Sequence, residues 1–231
     1  MFFVTTQCVG VILSDEYIIT AARCLYDDKK KAGSNMLIRI GYGNSDTALQ
    51  KMVNVRKVTE HPDYNNDTFE NDIAVLQVQK MDLEGMGITV AKVYQGTIES
   101  GSAATAIGWG TTDNKNSRSF AKKLKKADVY IGDDDACKTY DTTYFKGTFT
   151  SNNGTTICID DSKSVGNGPC IGDTGGPLVI TVDGEQQVAG ILSYQGGPDG
   201  STQCAADGGF DFYENLSNQL SFIQSETGLT L

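Results

Sequence analysis

The sequence predicts an all-β fold, a barrel or a sandwich, and three observations carry that reading. Short runs rich in β-branched and aromatic residues recur along the chain, turn-forming residues separate them, and helical periodicity is confined to the end. In order, strands are expected at 9–13 and 17–20 on either side of the turn at Ser14 and Asp15, then at 36–41 and 73–78. Four more follow at 103–108, 127–131, 177–182 and 187–194, the last two separated by Asp183 and Gly184. One helix is expected over 218–226, with Leu216, Leu220 and Ile223 on one face and Gly228 as its stop. No repeat, low-complexity tract or proline-rich linker interrupts the chain. A boundary between two halves is expected near 105–120, where Gly108-Trp109-Gly110 runs into the polar stretch 111–119.

With 231 residues the chain can bury roughly 70% of the surface its unfolded form exposes, so its stability requires no cofactor. A formal charge of −10 repels nucleic acid and anionic lipid, which excludes both as partner classes. The lysine clusters at 29–31 and 122–126 read as solvated faces. No apolar run reaches the roughly 18 residues needed to span a bilayer, and the first seven residues lack the pattern of an export signal.

The six cysteines form no Cys-x-x-Cys pair and none lies near a histidine at ligand spacing. Structural disulfides are therefore favoured over a metal site, which implies an oxidising, extracellular compartment. Glycosylation sequons begin at Asn66, Asn153 and Asn215 and are compatible with secretion.

Four segments then occur in a telling order: Ile19-Thr20-Ala21-Ala22-Arg23-Cys24, Asn71-Asp72-Ile73-Ala74-Val75-Leu76, Cys170-Ile171-Gly172-Asp173-Thr174-Gly175-Gly176-Pro177, and Gly190-Ile191-Leu192-Ser193-Tyr194. Together they resemble the trypsin-like, chymotrypsin-fold serine proteases over nearly the whole chain. The resemblance implies two six-stranded antiparallel Greek-key β-barrels with a C-terminal α-helix. It places residues 1–231 in a single domain whose N-terminal strand is truncated or incomplete. It also implies the pairs Cys8–Cys24, Cys137–Cys158 and Cys170–Cys204.

In active members of that family the first segment carries a histidine, the second an aspartate and the third a nucleophilic serine. Here those positions hold Arg23, Asp72 and Thr174, so only the aspartate survives. A guanidinium stays protonated and offers only donors, so Arg23 cannot take a proton from a hydroxyl as a neutral imidazole does. Thr174 keeps a hydroxyl, but its methyl restricts χ1 and crowds the approach to a carbonyl. His61, the only histidine, sits in Glu60-His61-Pro62-Asp63-Tyr64 and reads as a structural residue away from the cleft. Arg23 is expected to fork onto Asp72 in a charge-assisted pair.

By the same resemblance Gly172 and Thr174 would supply oxyanion-hole amides, and Asp173 would be the aspartate that pairs with a new N-terminal amine in active members. The chain starts seven residues before Cys8, so Asp173 is expected to lack that partner and the loop to be zymogen-like. Gly168 would form the base of a specificity pocket walled by Pro169, Gln195 and Gly209. With no carboxylate at Gly168, the pocket is expected to be neutral or vestigial.

These departures point to a secreted, catalytically inactive homologue that binds a protein, similar to serine protease homologues and glucanase-inhibitor proteins. The expected partner is a secreted hydrolase or an immune component, and the expected state is a monomer without cofactor or metal. The alternatives are a weak hydrolase acting through Thr174 and a structural protein with no specific partner.

Overall fold

The computed structural model describes residues 8–27, 30–31, 37–40, 51–85, 87–114, 119–145 and 147–231. The first seven residues, Lys29 of the first lysine cluster and the ends of the strand expected at 36–41 lie outside these. Two antiparallel sheets make up the molecule. The first contains β1 (Val11–Ile12), β2 (Tyr17–Thr20), β5 (Leu37–Ile40), β6 (Lys51–Glu60) and β7 (Ala74–Val78), in the order β1-β2-β7-β6-β5. A small hairpin of β3 (Tyr26–Asp27) and β4 (Lys30–Lys31) stands beside it.

The second sheet contains β8 (Ala103–Gly108), β9 (Lys125–Tyr130), β10 (Thr156–Asp160), β11 (Pro177–Val182), β12 (Glu185–Gly196) and β13 (Phe210–Asn215). Their order is β10-β13-β12-β11-β8-β9. The first sheet thus shows five strands among the described residues and the second the expected six. The chain passes from one sheet to the other between Val78 and Ala103, upstream of the boundary expected near 105–120.

β7 occupies the middle of its sheet because four of its five residues are apolar or small and buried: Ala74, Val75, Leu76 and Val78. Around Ile19, Ile73 and Val75 pack Val179, Val188 and Ile191 from the second sheet and Leu216, Phe222 and Ile223 from the C-terminal segment. This shared core fixes the two sheets face to face. The terminal helix, α2 (Leu220–Thr227), ends at Gly228 in the left-handed conformation, as its sequence predicts.

A second helix, α1 (Asp134–Tyr144), escapes periodicity because the run is mostly polar and threonine-rich. Its signature is local: Asp133 accepts hydrogen bonds from the amides of Asp135 and Ala136, and Asp134 and Asp135 place negative charge in the first turn.

All three disulfides implied by the resemblance are present. Cys137–Cys158 ties α1 to β10 beside a cluster of Tyr140, Phe149, Tyr194 and Phe212. It closes a loop with a sequence separation of 21 residues. Replacing both cysteines by alanine is expected to cost about 3 kcal/mol in a denaturant titration, because the unfolded chain regains the freedom of that loop. No helix among the described residues is long and apolar enough to cross a membrane.

Candidate active site

The site lies where the two sheets meet. A 3-10 turn, Ala22–Leu25, follows β2 and carries Arg23; Asp72 sits just before β7; Thr174 lies in the turn before β11. Gly175 makes that turn close. It has φ +81°, and a Cβ there would lie 2.3 Å from the Val9 carbonyl oxygen.

Asp72 is fully buried and well supplied with donors. Oδ1 accepts the Arg23 backbone N–H at 2.7 Å and Oδ2 accepts the Ser193 hydroxyl at 2.5 Å. Burial pushes its carboxyl up to about 6, against the Ser193 bond and nearby amides that favour the charged form. Behind it, Glu214 accepts the Asp72 amide at 3.0 Å and the Gln219 side-chain amide at 2.6 Å. Burial pushes Glu214 up to about 8.

Arg23 does not fork onto Asp72, and this corrects the expectation from sequence. Its Nη1 donates to the Ser193 carbonyl at 2.9 Å, and its guanidinium carbon lies 4.3 Å from the centre of the Phe69 ring. The guanidinium finds its acceptor in the Ser193 carbonyl and a cation–π seat on the face of Phe69, while Asp72 takes its donors from the Ser193 hydroxyl and the Arg23 amide. Phe69 reaches this place through left-handed backbone, φ +60°, a conformation unusual for a bulky residue. It is held there by Arg23 and by Tyr194, whose ring lies 5.5 Å away.

Thr174 Oγ1 has no hydrogen-bond partner among the described residues, and the Thr174 carbonyl accepts the Val9 amide at 2.8 Å. The amides of Gly172 and Thr174 likewise donate to no described residue, so both remain available to an incoming acceptor. Asp173 is buried, with Oδ1 accepting the Gly110 amide at 2.7 Å and Oδ2 the Cys170 amide at 3.0 Å. The Trp109 amide contributes as well, and burial raises the Asp173 carboxyl. No amine pairs with Asp173 among the described residues. A cavity of about 280 Å³ opens beside it, lined by Gly108, Gly110, Thr111, Asn114, Asn167 and Asp173.

His61 stands apart. Its ring packs on Phe222 of α2 at 4.7 Å and its Nδ1 accepts the Asp63 amide, while burial lowers its pKa. Of the sequons, Asn153 is exposed and Asn66 half-buried. Asn215 is 2% exposed and its Nδ2 donates to the carbonyls of Asn152 and Gly154, which leaves no room for a glycan in the folded chain and corrects that expectation.

Gly168, Gln195 and Gly209 gather in one region, with Pro169 buried next to Gly168. Two buried carboxyls, Asp161 and Asp211, lie against it. A Cβ on Gly209 would sit 2.8 Å from Asp161 Oδ2, and one on Gly168 would sit 3.6 Å from Asp161 Oδ1. Gln195 is the cross-strand partner of Asp211. In the sequence the pair shows itself only as an aspartate inside the otherwise aromatic run Phe210-Asp211-Phe212-Tyr213.

Comparison with known proteins gives one family, described as Trypsin, whose model matches residues 1–223. The chain is similar to human (Homo sapiens) kallikrein-14, 28% identical over 94% of this chain and 73% of that protein. It is also similar to pig (Sus scrofa) trypsin, 25% identical over 94% and 84%. Sheep (Ovis aries) mast cell protease 3 is 29% identical over 94% and 76%.

Proposed function

The chain belongs to the trypsin family, and from that premise we propose that this member is a catalytically inactive homologue, secreted, that acts by binding another protein. One observation carries the reading: the group at the base position is a guanidinium held between the Phe69 ring and the Ser193 carbonyl, close to Asp72 yet unable to accept a proton. Thr174 is left with a hydroxyl and no base within hydrogen-bonding reach among the described residues. Three disulfides favour an oxidising compartment. Loops on a rigid β-scaffold suit a monomer that recognises a secreted hydrolase or an immune component.

A second reading has its own support. The free amides of Gly172 and Thr174 and the unengaged Thr174 hydroxyl are the parts a weak hydrolase would use, with water or a substrate group as base.

Incubating the purified chain with chromogenic peptides and an active-site phosphonate separates the two. No turnover and no label are expected. A phosphonate adduct on Thr174 would establish the weak hydrolase instead. Capture from secretions, repeated with a Phe69→Ala variant of the cleft, is expected to return a specific protein that the variant loses.

A further inference from the structure

We infer that Asn167 is a spontaneous modification site, its side-chain amide converted to an acid by attack of the Gly168 backbone nitrogen, while the other Asn-Gly pair, Asn153-Gly154, is held inert by its hydrogen bonds. This goes beyond the binding role proposed above and does not depend on it. The product is a carboxylate on the wall of the cavity that Asp173 also lines.

Asparagine followed by glycine is the pair in which this chemistry meets least resistance, because glycine has no Cβ to shield its own nitrogen and its backbone turns freely. The sequence holds two such pairs, Asn153-Gly154 and Asn167-Gly168. Exposure does not separate them, since both asparagines are exposed and both glycines half-buried. Hydrogen bonding does. Asn153 Oδ1 accepts the Ile98 amide at 2.7 Å, and its Nδ2 donates to the Ile98 carbonyl at 2.9 Å. The Gly154 amide donates to the Ser151 carbonyl at 2.9 Å, and Asn218 Nδ2 donates to the Gly154 carbonyl at 2.7 Å. Attack at this pair must break bonds at both reacting groups.

At Asn167 neither reacting group is engaged. Its side chain makes no hydrogen bond to a described residue, and the Gly168 amide donates to none. Asn167 is anchored through its backbone, whose amide donates to the Ser164 carbonyl at 2.7 Å. Gly166 before it has φ +81°, with open space where a Cβ would project. The Asn167 side chain can therefore turn onto the Gly168 nitrogen without breaking a hydrogen bond. The step balances without oxidant or reductant. Solvent base takes the Gly168 N–H proton, the nitrogen bonds the Asn167 side-chain carbonyl carbon, and ammonia leaves with a proton from water. Water then opens the resulting succinimide at either carbonyl, giving aspartate or isoaspartate. Each conversion adds one negative charge, much as an enzymatic charge-changing modification does. Lys125 and Lys126 line the same cavity, so the new carboxylate alters the balance of charge that any molecule entering it meets.

The test incubates the full, disulfide-bonded chain, produced without glycans, in mildly alkaline buffer and follows each asparagine by mass-spectrometric peptide mapping. In the folded chain Asn167 is expected to convert at least about tenfold faster than Asn153, and in denaturant the two rates should fall within about threefold of each other, because the bonds that hold Asn153 are gone. The variant Asn218→Ala, which removes the bond to the Gly154 carbonyl, should speed conversion at Asn153 and leave Asn167 unchanged. Asn153 converting as fast as Asn167 in the folded chain overturns the proposal. So does an Asn167 that keeps its amide over the time in which the denatured chain converts. A ratio that persists in denaturant overturns it as well, since local sequence and not the fold would then set the rates. Should Asn218→Ala fail to fold, the comparison of folded with denatured wild type decides.

Discussion

The double variant Arg23→His/Thr174→Ser is expected to hydrolyse peptides about 10³-fold faster than either single variant, because base and nucleophile act as a unit. Asp72 is already placed to receive an imidazole: it lies between the Arg23 amide and the Ser193 hydroxyl, fully buried. Arg23→His alone removes the guanidinium from the Ser193 carbonyl and Phe69 but leaves the hindered threonine. Thr174→Ser alone supplies a better nucleophile with no proton acceptor. Values of kcat/KM on a peptide panel check this. If Thr174→Ser alone matched the double variant, Arg23 would not be the decisive loss.

Unfolding free energy is expected to fall as pH rises from about 4.5 to about 8.5, the reverse of a protein held by ionised carboxylates. Five buried acids set the sign, Asp173 with its raised carboxyl among them. Asp72 is raised to about 6, Asp161 to about 7 and Glu214 to about 8, while Asp211 is raised well above the ordinary range; burial is the leading cause in each case. In the unfolded chain such groups titrate near about 4. The folded state therefore binds protons that the unfolded state has released. Stability is fully present below the unfolded value and is lost as pH climbs through about 6 to 8.

Asp72 alone, shifted by about two units, accounts for roughly 3 kcal/mol. The exposed Lys57–Glu226 pair works in the opposite sense, but screening keeps it small. Denaturant titrations across the range, with Asp211→Asn as a variant of flatter profile, make the measurement. Stability that rises between pH 5 and pH 8 would refute the idea.

Most of the architecture was readable because it rests on short, local patterns. Cys170-Ile171-Gly172-Asp173-Thr174-Gly175-Gly176-Pro177 encodes a turn whose close approaches demand glycine, and the cysteines fell into the implied pairs. What the sequence left hidden depends on partners far apart in the chain. Arg23 looked like a mate for Asp72 because charge and proximity were the only information available. Ser193, 121 residues beyond Asp72, takes the carboxylate instead, and Phe69 takes the cation. Asp161 and Asp211 were passed over for a similar reason: each is unremarkable alone, and only the pairing of β10 with β13 brings those stretches together. The strands β6, β10 and β13 and the helix α1 were missed where polar residues diluted the period.

Trp109 is the sole tryptophan of the chain, and its backbone amide is one of the donors that hold Asp173. Its indole nitrogen is buried without a partner among the described residues. Intrinsic emission excited in the red edge of the protein band thus comes from a single chromophore at the root of the Gly172–Thr174 amides. A shift in its wavelength or quenching would report rearrangement of that loop in real time, with no label attached.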